Sequence, residues 1–458
     1  MLFHNKEIII KINWLPLTAA VTLAAGSVSA SSVDFHGYFR AGAQLSTHGG
    51  EVYCAGTGAD GHKVGRLADE CDTYGEIALS QEVYNKADNK FTVNTLMGYG
   101  STDDTRDLQG NDWQGVGGNG PWGGQRLSFR EMYAKYDTDN GYSIWAGKRF
   151  YQRKNIHIMD FYYLNNSGHG TGIENIDVGA GNLNFAVIKW ANDGASTDYN
   201  RNVYKLDARW NAIPVGFGTL DASVIYAFPA ISDKQKDAVK NNPRRNRADS
   251  GVLLTLDHAS TVGNADGSFS LMNHLIFQWG TNGFGYVGTY GNHAGDNYTP
   301  DVDIVGVRLI DWGTMDFGSD IDLGYSLFWS HLDNGKNHES KGGTWTYTRS
   351  GWEYSIVVRP EYKWTEYTRT TLELGYSQMK TTGWVTDPKY DDPNAYKFTL
   401  AQQFTPGKGF WSRPAIRFYT SYLGGEQFAH GWNTNYAEKN ASHHNHQFTF
   451  GTQVEAWW

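Results

Sequence analysis

The chain has 458 residues, a formal net charge of −9 and 15 % aromatic residues, with 54 Gly and 11 Pro. The charge is mild and spread along the chain, which excludes the basic patch typical of nucleic-acid-binding proteins. The one long weakly polar run lies near the N-terminus, which excludes a bundle of membrane-spanning helices. A transmembrane β-barrel remains compatible with this composition. Lipid-facing and lumen-facing residues alternate along each strand, so their hydropathies cancel.

Residues 1–30 have the features of a secretory signal. Two lysines precede a short apolar core at residues 15–26, and residues 28–30 read Val-Ser-Ala, a pattern typical of a signal-peptidase site. We therefore predict export and cleavage after Ala30, which leaves residues 31–458 as a single domain. A lone apolar core helix is the alternative interpretation.

The chain has two cysteines, Cys54 and Cys71, in a stretch rich in Gly and charged residues. An even and closely spaced pair in an exported protein predicts one disulfide, which would pin the stretch between them as a loop. Two free thiols or a metal-binding pair are less favoured alternatives.

Segments of alternating polarity follow, and the predicted strands cover residues 33–45, 74–83, 371–379, 411–419 and 448–458. Each has an apolar face and a polar face, as expected of a strand between lipid and an aqueous lumen. In the last segment Phe450 and Trp458 share the apolar face, whereas Glu455 and Trp457 lie on the polar face. The 17 Trp and 28 Tyr suit the aromatic girdles of a barrel at the two membrane interfaces.

Long stretches rich in Gly, Asn and Asp separate the predicted strands, at residues 49–63, 101–125, 230–249, 333–343 and 424–446. They alternate with short breaks, such as the one at residues 137–141. Long outer loops and short periplasmic turns are typical of outer-membrane barrels. At about 10 residues per strand, the chain has room for roughly 16 to 18 strands, enough to enclose an aqueous channel. We therefore predict an all-β fold, a transmembrane antiparallel β-barrel without a domain boundary.

One segment, residues 144–179, breaks the alternating pattern. It concentrates basic side chains, His157 and Asp160 among several aromatic rings. Such a composition is poor for a surface linker. We therefore predict a non-strand loop that folds into the lumen, narrows the channel and lines it with hydrogen-bonding groups beside ring faces.

This segment closely resembles the constriction loop of the maltoporins, the sugar-specific porins of the bacterial outer membrane. Further blocks resemble the same family in the same order, namely VDFHGYFR at Val33, the Cys54/Cys71 pair with DECDTYGE, LAQQF at Leu400, FWSRPAIR at Phe410 and the final WW. The resemblance implies an 18-stranded barrel with long extracellular loops, a homotrimer, and passive diffusion of maltose and maltodextrins. Outer-membrane lipid and lipopolysaccharide are then its surroundings. We expect no enzymatic activity, no cofactor and no metal.

Alternation alone turns four aromatic side chains toward the lumen, Tyr38, Tyr74, Trp411 and Trp457. In the maltoporins the matching positions belong to an aromatic slide, a row of rings on which the C–H faces of sugars pack. Each of the four has an alternative interpretation as a girdle residue near a membrane interface.

The resemblance adds two further slide positions. A neighbouring subunit donates one Trp from the loop after the third strand; Trp113 is our choice here, and Trp122 is the competitor. Leu254, within VLLTLDH, stands where the family has an aromatic residue on the slide.

The resemblance also implies a track of side chains that hydrogen-bond sugar hydroxyls, namely Arg40, Arg66, Glu76, Arg130, Arg153, His157 and Asp160, with Tyr162 as the bulky residue of the constriction. Asn155 stands where a maltoporin has an acidic residue. Together with Leu254, this departure affects the expected sugar preference more than the expected fold.

Other functions are consistent with some of these features. A sugar porin of different specificity, for example for sucrose, and a general diffusion porin would share the barrel and its charged lumen. An outer-membrane enzyme is disfavoured, since the chain has no HExxH motif and no G-x-S-x-G elbow in a suitable context. Residues 244–247 and the histidines His443, His444 and His446 are interpreted as polar outer loops.

Overall fold

The computed structural model describes residues 33–47, 49, 62–70, 73–101, 114–116, 125–190, 202–230, 232–233, 236–237, 250–290, 304–318, 320–334, 350–382, 394–425 and 446–458. Its strands are β1 Asp34–Ser46, β2 Thr73–Lys86, β3 Asn89–Ser101, β4 Gln114–Val116, β5 Gln125–Asp137, β6 Ser143–Ile156, β7 Phe161–Asp177, β8 Asn182–Trp190, β9 Asn202–Val215, β10 Gly218–Ala230, β11 Gly251–Gly263, β12 Ser270–Thr281, β13 Ile304–Asp316, β14 Ile321–Asn334, β15 Ser350–Lys363, β16 Thr368–Thr382, β17 Asn394–Phe404, β18 Ala415–Gly424 and β19 His446–Trp457. Two 3₁₀ helices cover His157–Met159 and Asn282–Gly288. Within the described ranges, no helix is both long and apolar enough to cross a bilayer.

The sheet closes on itself into an antiparallel barrel. Strand β1 pairs with β2 along one edge and with β19 along the other, so the first and last strands meet. Strand β3 pairs with β5, and the three-residue β4 pairs with the other edge of β5. With β4 outside the circuit, the remaining 18 of the 19 strands form the closed wall. The predicted 18-stranded barrel is therefore confirmed.

The connections differ in length between the two ends of the barrel. One end has short turns, such as residues 178–181 between β7 and β8 and residues 216–217 between β9 and β10. The other end has the long connections, including residues 231–250 and 425–445. Both the first residue of β1 and the last residue of β19 lie at the end with short turns, because β1 and β19 are antiparallel partners. This is the predicted pattern of short turns and long loops.

The two faces of the wall have the predicted alternation. In β19, Gln453 and Glu455 are buried on the inner side, while Phe450 is exposed on the outer side. In β18, Ile416 and Phe418 are likewise exposed on the outer side. The prediction for residues 411–419 is wrong at its start, since β18 begins at Ala415 and the preceding residues belong to a turn.

The constriction is a hairpin of β6 and β7 that leaves the wall. Pairing of β6 with β5 ends at Lys148, whereas β6 and β7 stay paired up to Ile156. The β6–β7 register shifts near Lys154, and Gln152 and Asp160 have positive φ angles of 43° and 44°. These irregularities hide the alternation in the sequence. The predicted inward fold is confirmed, but the prediction that the segment is not a strand is wrong.

The main apolar core lies inside the barrel, where the tip of this hairpin packs on the opposite wall. Side chains of the tip, Ile156, Met159 and Phe161 among them, are buried against inward residues of β9 to β15, such as Ile225 and Phe328. Polar contacts fix the same interface: the ammonium of Lys154 lies 2.6 Å from Asp221 and 2.7 Å from Asp257. The hairpin therefore divides the lumen and leaves the channel along the side of β1, β2 and β19.

Residues 62–70 form a second segment inside the barrel, packed on β15 to β19. The ammonium of Lys397 donates to the carbonyls of Gly65 and Leu67, the latter at 2.9 Å. A Cβ at Gly375 would collide with the carbonyl oxygen of Val64, so only glycine lets the segment lie flat on β16. The backbone N–H of Arg66 donates to the carbonyl of Ile158 at 3.0 Å. The two inward segments thus contact each other and narrow the lumen together.

Candidate functional site

Four aromatic side chains follow one another along the inner wall at this constriction. The rings of Tyr74 and Tyr38 have centroids 6.1 Å apart, on neighbouring strands β2 and β1. Tyr38 is directly opposite Trp457 in the β1–β19 register. The imidazole of His157, at the hairpin tip, meets Trp457 edge-on at 5.4 Å and Trp411 edge-on at 5.2 Å. The structure therefore brings together the four aromatics whose inward direction alternation predicted.

These rings are partly exposed. A binding surface for a passing solute needs such partial exposure, because the ring must be accessible and also held in place by its neighbours. Tyr38, Tyr74, Trp411 and Trp457 all have intermediate exposure. The turn before β18, rather than a strand, holds Trp411, with Phe410 packed against it at 4.9 Å. Phe410 was not predicted as a site residue, although it adjoins Trp411 in the FWSRPAIR block.

A charged cluster lies beside the rings, between the tip of the hairpin and residues 62–70. The guanidinium of Arg66 lies 2.5 Å from Glu70 and 2.9 Å from Glu455. The guanidinium of Arg40 lies 2.9 Å from Glu70 and 3.0 Å from Asp160. Arg40 and Asp160 keep partial exposure to the lumen, so they present hydrogen-bonding groups to a solute, while the other three are buried.

Glu455 is the acceptor that connects the charged cluster to Tyr38 and to two further arginines. One carboxylate oxygen accepts from the Tyr38 hydroxyl at 3.3 Å, and the other accepts from Arg413 at 2.9 Å and Arg417 at 2.8 Å. The Tyr38 hydroxyl in turn accepts a hydrogen bond from Arg66 at 2.8 Å. Glu455 was not predicted as a site residue, although it shares the inner face of β19 with Trp457.

The electrostatic state of the loop residues follows from this cluster. Burial opposes ionisation of Asp160, but the Arg66 and Arg40 guanidiniums outweigh it and hold the pKa of Asp160 well below its usual range. Burial, assisted by the charge of Arg66, lowers the pKa of His157 to about 4. At neutral pH the site therefore has an ionised Asp160 and a neutral His157, which Arg66 contacts with a guanidinium N–H 3.1 Å from Nε2.

A second group of predicted residues surrounds the ring of Phe150 on the constriction hairpin. The guanidinium of Arg153 lies between two rings, 4.0 Å from the centroid of Phe150 and 4.0 Å from that of Tyr162. Arg130, from β5, lies 5.2 Å from the same Phe150 ring. A guanidinium that stacks on a ring directs its N–H groups outward in the plane, from where they can donate to hydroxyls. Phe150 itself was not predicted.

Glu76 connects the two groups. It accepts a short hydrogen bond from the Tyr74 hydroxyl, and it lies directly opposite Tyr38 in the β1–β2 register. The predicted polar residues Arg40, Arg66, Glu76, Arg130, Arg153, His157, Asp160 and Tyr162 thus all lie on the inner wall or the inward segments, around one constriction.

The structure contradicts the prediction that Leu254 is part of the aromatic slide. Its strand neighbours Leu253 and Thr255 are buried on the inner side, and Asp257 bonds the hairpin from that side. Leu254 therefore points to the outer face, where it lies opposite Val224, and it cannot be part of a slide in the lumen. Thr255 and Asp257 of VLLTLDH mark the inner face, a signal that the sequence contains.

Asn155, the other departure from the family, is exposed at the tip of the hairpin. Trp113, its competitor Trp122, and both Cys54 and Cys71 lie outside the described residues, as do residues 1–30.

Two carboxylates and one imidazole lie close together at this site. Ligand atoms of His62, Glu70 and Asp160 lie within 4.8 Å of one another. Both carboxylates, however, are already paired with the guanidinium of Arg40. In the described part of the chain, these residues form an ion-pair network beside the four aromatic side chains. Such an arrangement suits a channel for a polar solute.

Comparison with known proteins agrees with this geometry. A family model described as LamB porin matches residues 33–458. The chain belongs to the LamB porin family. A curated relative named "Maltoporin", from Hahella chejuensis (strain KCTC 2396), is 33 % identical over 453 residues, which are 97 % of this chain and 97 % of the relative. A LamB porin is a transport channel of the bacterial outer membrane, which confirms the predicted location and favours the predicted channel over an enzyme.

Two solved structures are also similar to this chain. The crystal structure of Acinetobacter baumannii OccAB1 is 11 % identical, with a TM-score of 0.49, over 93 % of this chain and 96 % of that chain. A BenF-like porin from Pseudomonas fluorescens Pf-5 is 11 % identical, with a TM-score of 0.48, over 94 % of this chain and 100 % of that chain.

Proposed function

We propose that this LamB porin is a sugar-selective channel through which maltose and maltodextrins diffuse passively. The observation that carries the proposal is the row of rings formed by Tyr74, Tyr38, Trp457 and Trp411, with charged side chains beside it. The relative named "Maltoporin" supports the same substrate class.

The two halves of the site suit the two surfaces of a sugar. The C–H patches of a glucose ring pack on aromatic faces, and its hydroxyls need donors and acceptors that replace water. The step from Tyr74 to Tyr38 is 6.1 Å, so a sugar leaving one ring already contacts the next. A row of weak and similar contacts lets a ligand enter and also leave, which a channel requires.

The charges are arranged so that they bind hydroxyls without trapping ions. Arg40 is paired with Glu70 and Asp160, and Arg66 is paired with Glu70 and Glu455. Each of these five charges therefore has a compensating charge within hydrogen-bonding distance. What remains available to a solute is the directional hydrogen bonding of the groups that stay partly exposed.

The proposal is tested by sugar block of ion current in planar bilayers. Maltose, maltotriose and longer maltodextrins should block the current reversibly, with affinity that rises with chain length until the row of rings is filled. Sucrose should block more weakly. A conductance that ignores all of these sugars would contradict sugar selectivity, and an equal response to sucrose would indicate a broader sugar porin.

Assembly and processing are part of the same proposal. We expect a homotrimer, with Trp113 of one subunit reaching the channel of the next, a Cys54–Cys71 disulfide, and a mature chain that starts after Ala30. Gel mobility of unheated samples tests the trimer: a band at the position of the heated monomer would contradict it. Intact mass with and without reductant tests both the cleavage and the disulfide.

A further inference from the structure

The outer face of strands β6 to β9 has a row of basic side chains. The registers place Lys148 of β6 directly opposite His169 of β7, and His169 directly opposite Lys189 of β8. Their common face is the outer one, because Ile188, next to Lys189, is fully buried on the inner side while Val187 is exposed. Residues directly opposite on neighbouring strands lie about 5 Å apart, so the three side chains can converge on one ligand.

The row lies at the end of the barrel with the long connections. Lys189 is followed by the last residue of β8, Trp190. The next strands continue the row with Tyr204 and Phe228, whose rings stack with centroids 5.7 Å apart. Outward aromatic rings at a strand end mark the membrane interface of a barrel. In an outer-membrane porin this interface belongs to the outer leaflet.

An apolar groove lies directly below the basic row on the same outer face. It has a volume of about 590 Å³, and its lining includes Ile144, Ile173, Phe185, Val187, Leu206 and Val224. These residues occupy the outward positions two and four residues from the basic row along their strands, one step and two steps deeper into the membrane. The size falls in the usual range of ligand-binding clefts.

We propose that the basic row and the groove form one binding site for a phosphorylated lipid of the outer leaflet. The phosphate lies on Lys148, His169 and Lys189, and an acyl chain lies in the groove. Donors at adjacent register positions can reach different oxygens of one phosphate, and hydrogen bonds to a charged phosphate are among the stronger ones. The basic side chains lie at the membrane interface and the apolar groove lies deeper in the membrane. The phosphates and the acyl chains of lipid A have the same arrangement.

The experiment is native mass spectrometry of the full-length protein in detergent, titrated with bisphosphorylated lipid A, dephosphorylated lipid A or phosphatidylglycerol. Wild-type protein should bind bisphosphorylated lipid A more tightly than either other lipid. The triple variant K148Q/H169Q/K189Q should lose about 30-fold in affinity for it, since each lysine near an anionic surface contributes about fivefold.

Two further variants separate the parts of the site. Ala208→Phe fills the groove, because Ala208 faces outward between Phe185 and Val224; it should weaken binding of both forms of lipid A while the preference for phosphate persists. Lys380→Gln removes a single exposed lysine near the same end of β16 and should change nothing. Ion conductance and sugar block should match wild type in all variants, because none of these residues lines the lumen.

The proposed site is contradicted if the triple variant binds bisphosphorylated lipid A as tightly as the wild-type protein does. It is also overturned if the dephosphorylated form or phosphatidylglycerol binds wild type equally well. A change in subunit stoichiometry in place of lipid binding would assign this face to contact between subunits.

Discussion

Replacing Glu455 by Gln tests whether the charged cluster positions the aromatic path. The Glu455 side chain is 1 % exposed and lies 2.9 Å from Arg66, 2.9 Å from Arg413 and 2.8 Å from Arg417. It also accepts from the Tyr38 hydroxyl at 3.3 Å. The substitution keeps the shape of the side chain but removes the charge that compensates three guanidiniums.

The expected cost is large for a single substitution. Removing one partner of a buried ion pair destabilises a protein by about 3–5 kcal/mol, because the remaining charge is left buried without compensation. The amide oxygen of Gln still accepts one hydrogen bond, so we expect about 3 kcal/mol for Glu455→Gln. The lost orientation of Tyr38 and Arg66 should in addition raise the sugar dissociation constant at least fivefold, roughly the net worth of one hydrogen bond.

The assay combines guanidinium unfolding of the detergent-solubilised barrel with maltotriose block of ion current. A lower unfolding midpoint at unchanged slope reports the loss of stability. Asp322→Asn is the matched control, because Asp322 is also buried and its carboxylate lies 2.7 Å from Lys363, which is not part of the charged cluster around Glu455. The control should lose stability but keep the sugar affinity of wild type. A Glu455→Gln protein with wild-type midpoint and wild-type block would refute the reasoning.

Three further predictions concern the constriction hairpin. Sugar block should be constant from pH 8 to 5 and weaken near pH 4, since the pKa of His157 is lowered to about 4 and its protonation puts a charge between two tryptophan rings. The unfolded chain binds that proton already near pH 6.5, so the free energy of unfolding should fall as pH is lowered from about 7 to 4; a flat profile would contradict the lowered pKa. Arg153→Gln removes a cation from the constriction and should shift the reversal potential in a KCl gradient toward cation selectivity; an unchanged potential would place Arg153 outside the ion path. Lys154→Met removes the anchor to Asp221 and Asp257 and should raise single-channel conductance and current noise; an unchanged conductance would mean that apolar packing alone holds the hairpin.

Strand faces could be predicted from the sequence because the period of two is local. Tyr38 and Trp457 needed only their neighbours in the chain to be assigned to the lumen. The same reasoning, applied to VLLTLDH, would have used Asp257 to place Leu254 outside. The family resemblance instead implies a slide position for Leu254, which its place on the outer face contradicts.

The inward segments could be predicted only in part, because their positions depend on contacts between distant residues. Residues 62–70 have the composition of a loop, and Lys397, which holds them inside the barrel, lies 330 positions beyond Leu67 in the chain. The hairpin of β6 and β7 pairs with itself, but its register shifts hide the strand pattern. Glu455 was missed for a related reason, because its role comes from partners elsewhere in the chain, such as Arg66 and Arg417. Phe150 was missed although Arg153 lies on the same strand, because its other partner Arg130 is on β5.

The central claim is that one of two adjacent tryptophans forms part of a sugar path. Trp457 lies in the lumen against Arg413 and His157, whereas Trp458 packs on Phe35 and the outer face at 5.6 Å. Maltotriose block of ion current, titrated in Trp457→Ala and Trp458→Ala, separates the two roles. Trp457→Ala should weaken block by about 2- to 13-fold, the equivalent of 0.5–1.5 kcal/mol for one aromatic contact, with nearly unchanged conductance, and Trp458→Ala channels should block like wild type. Wild-type block in Trp457→Ala, or equal loss in both variants, would contradict the sugar path.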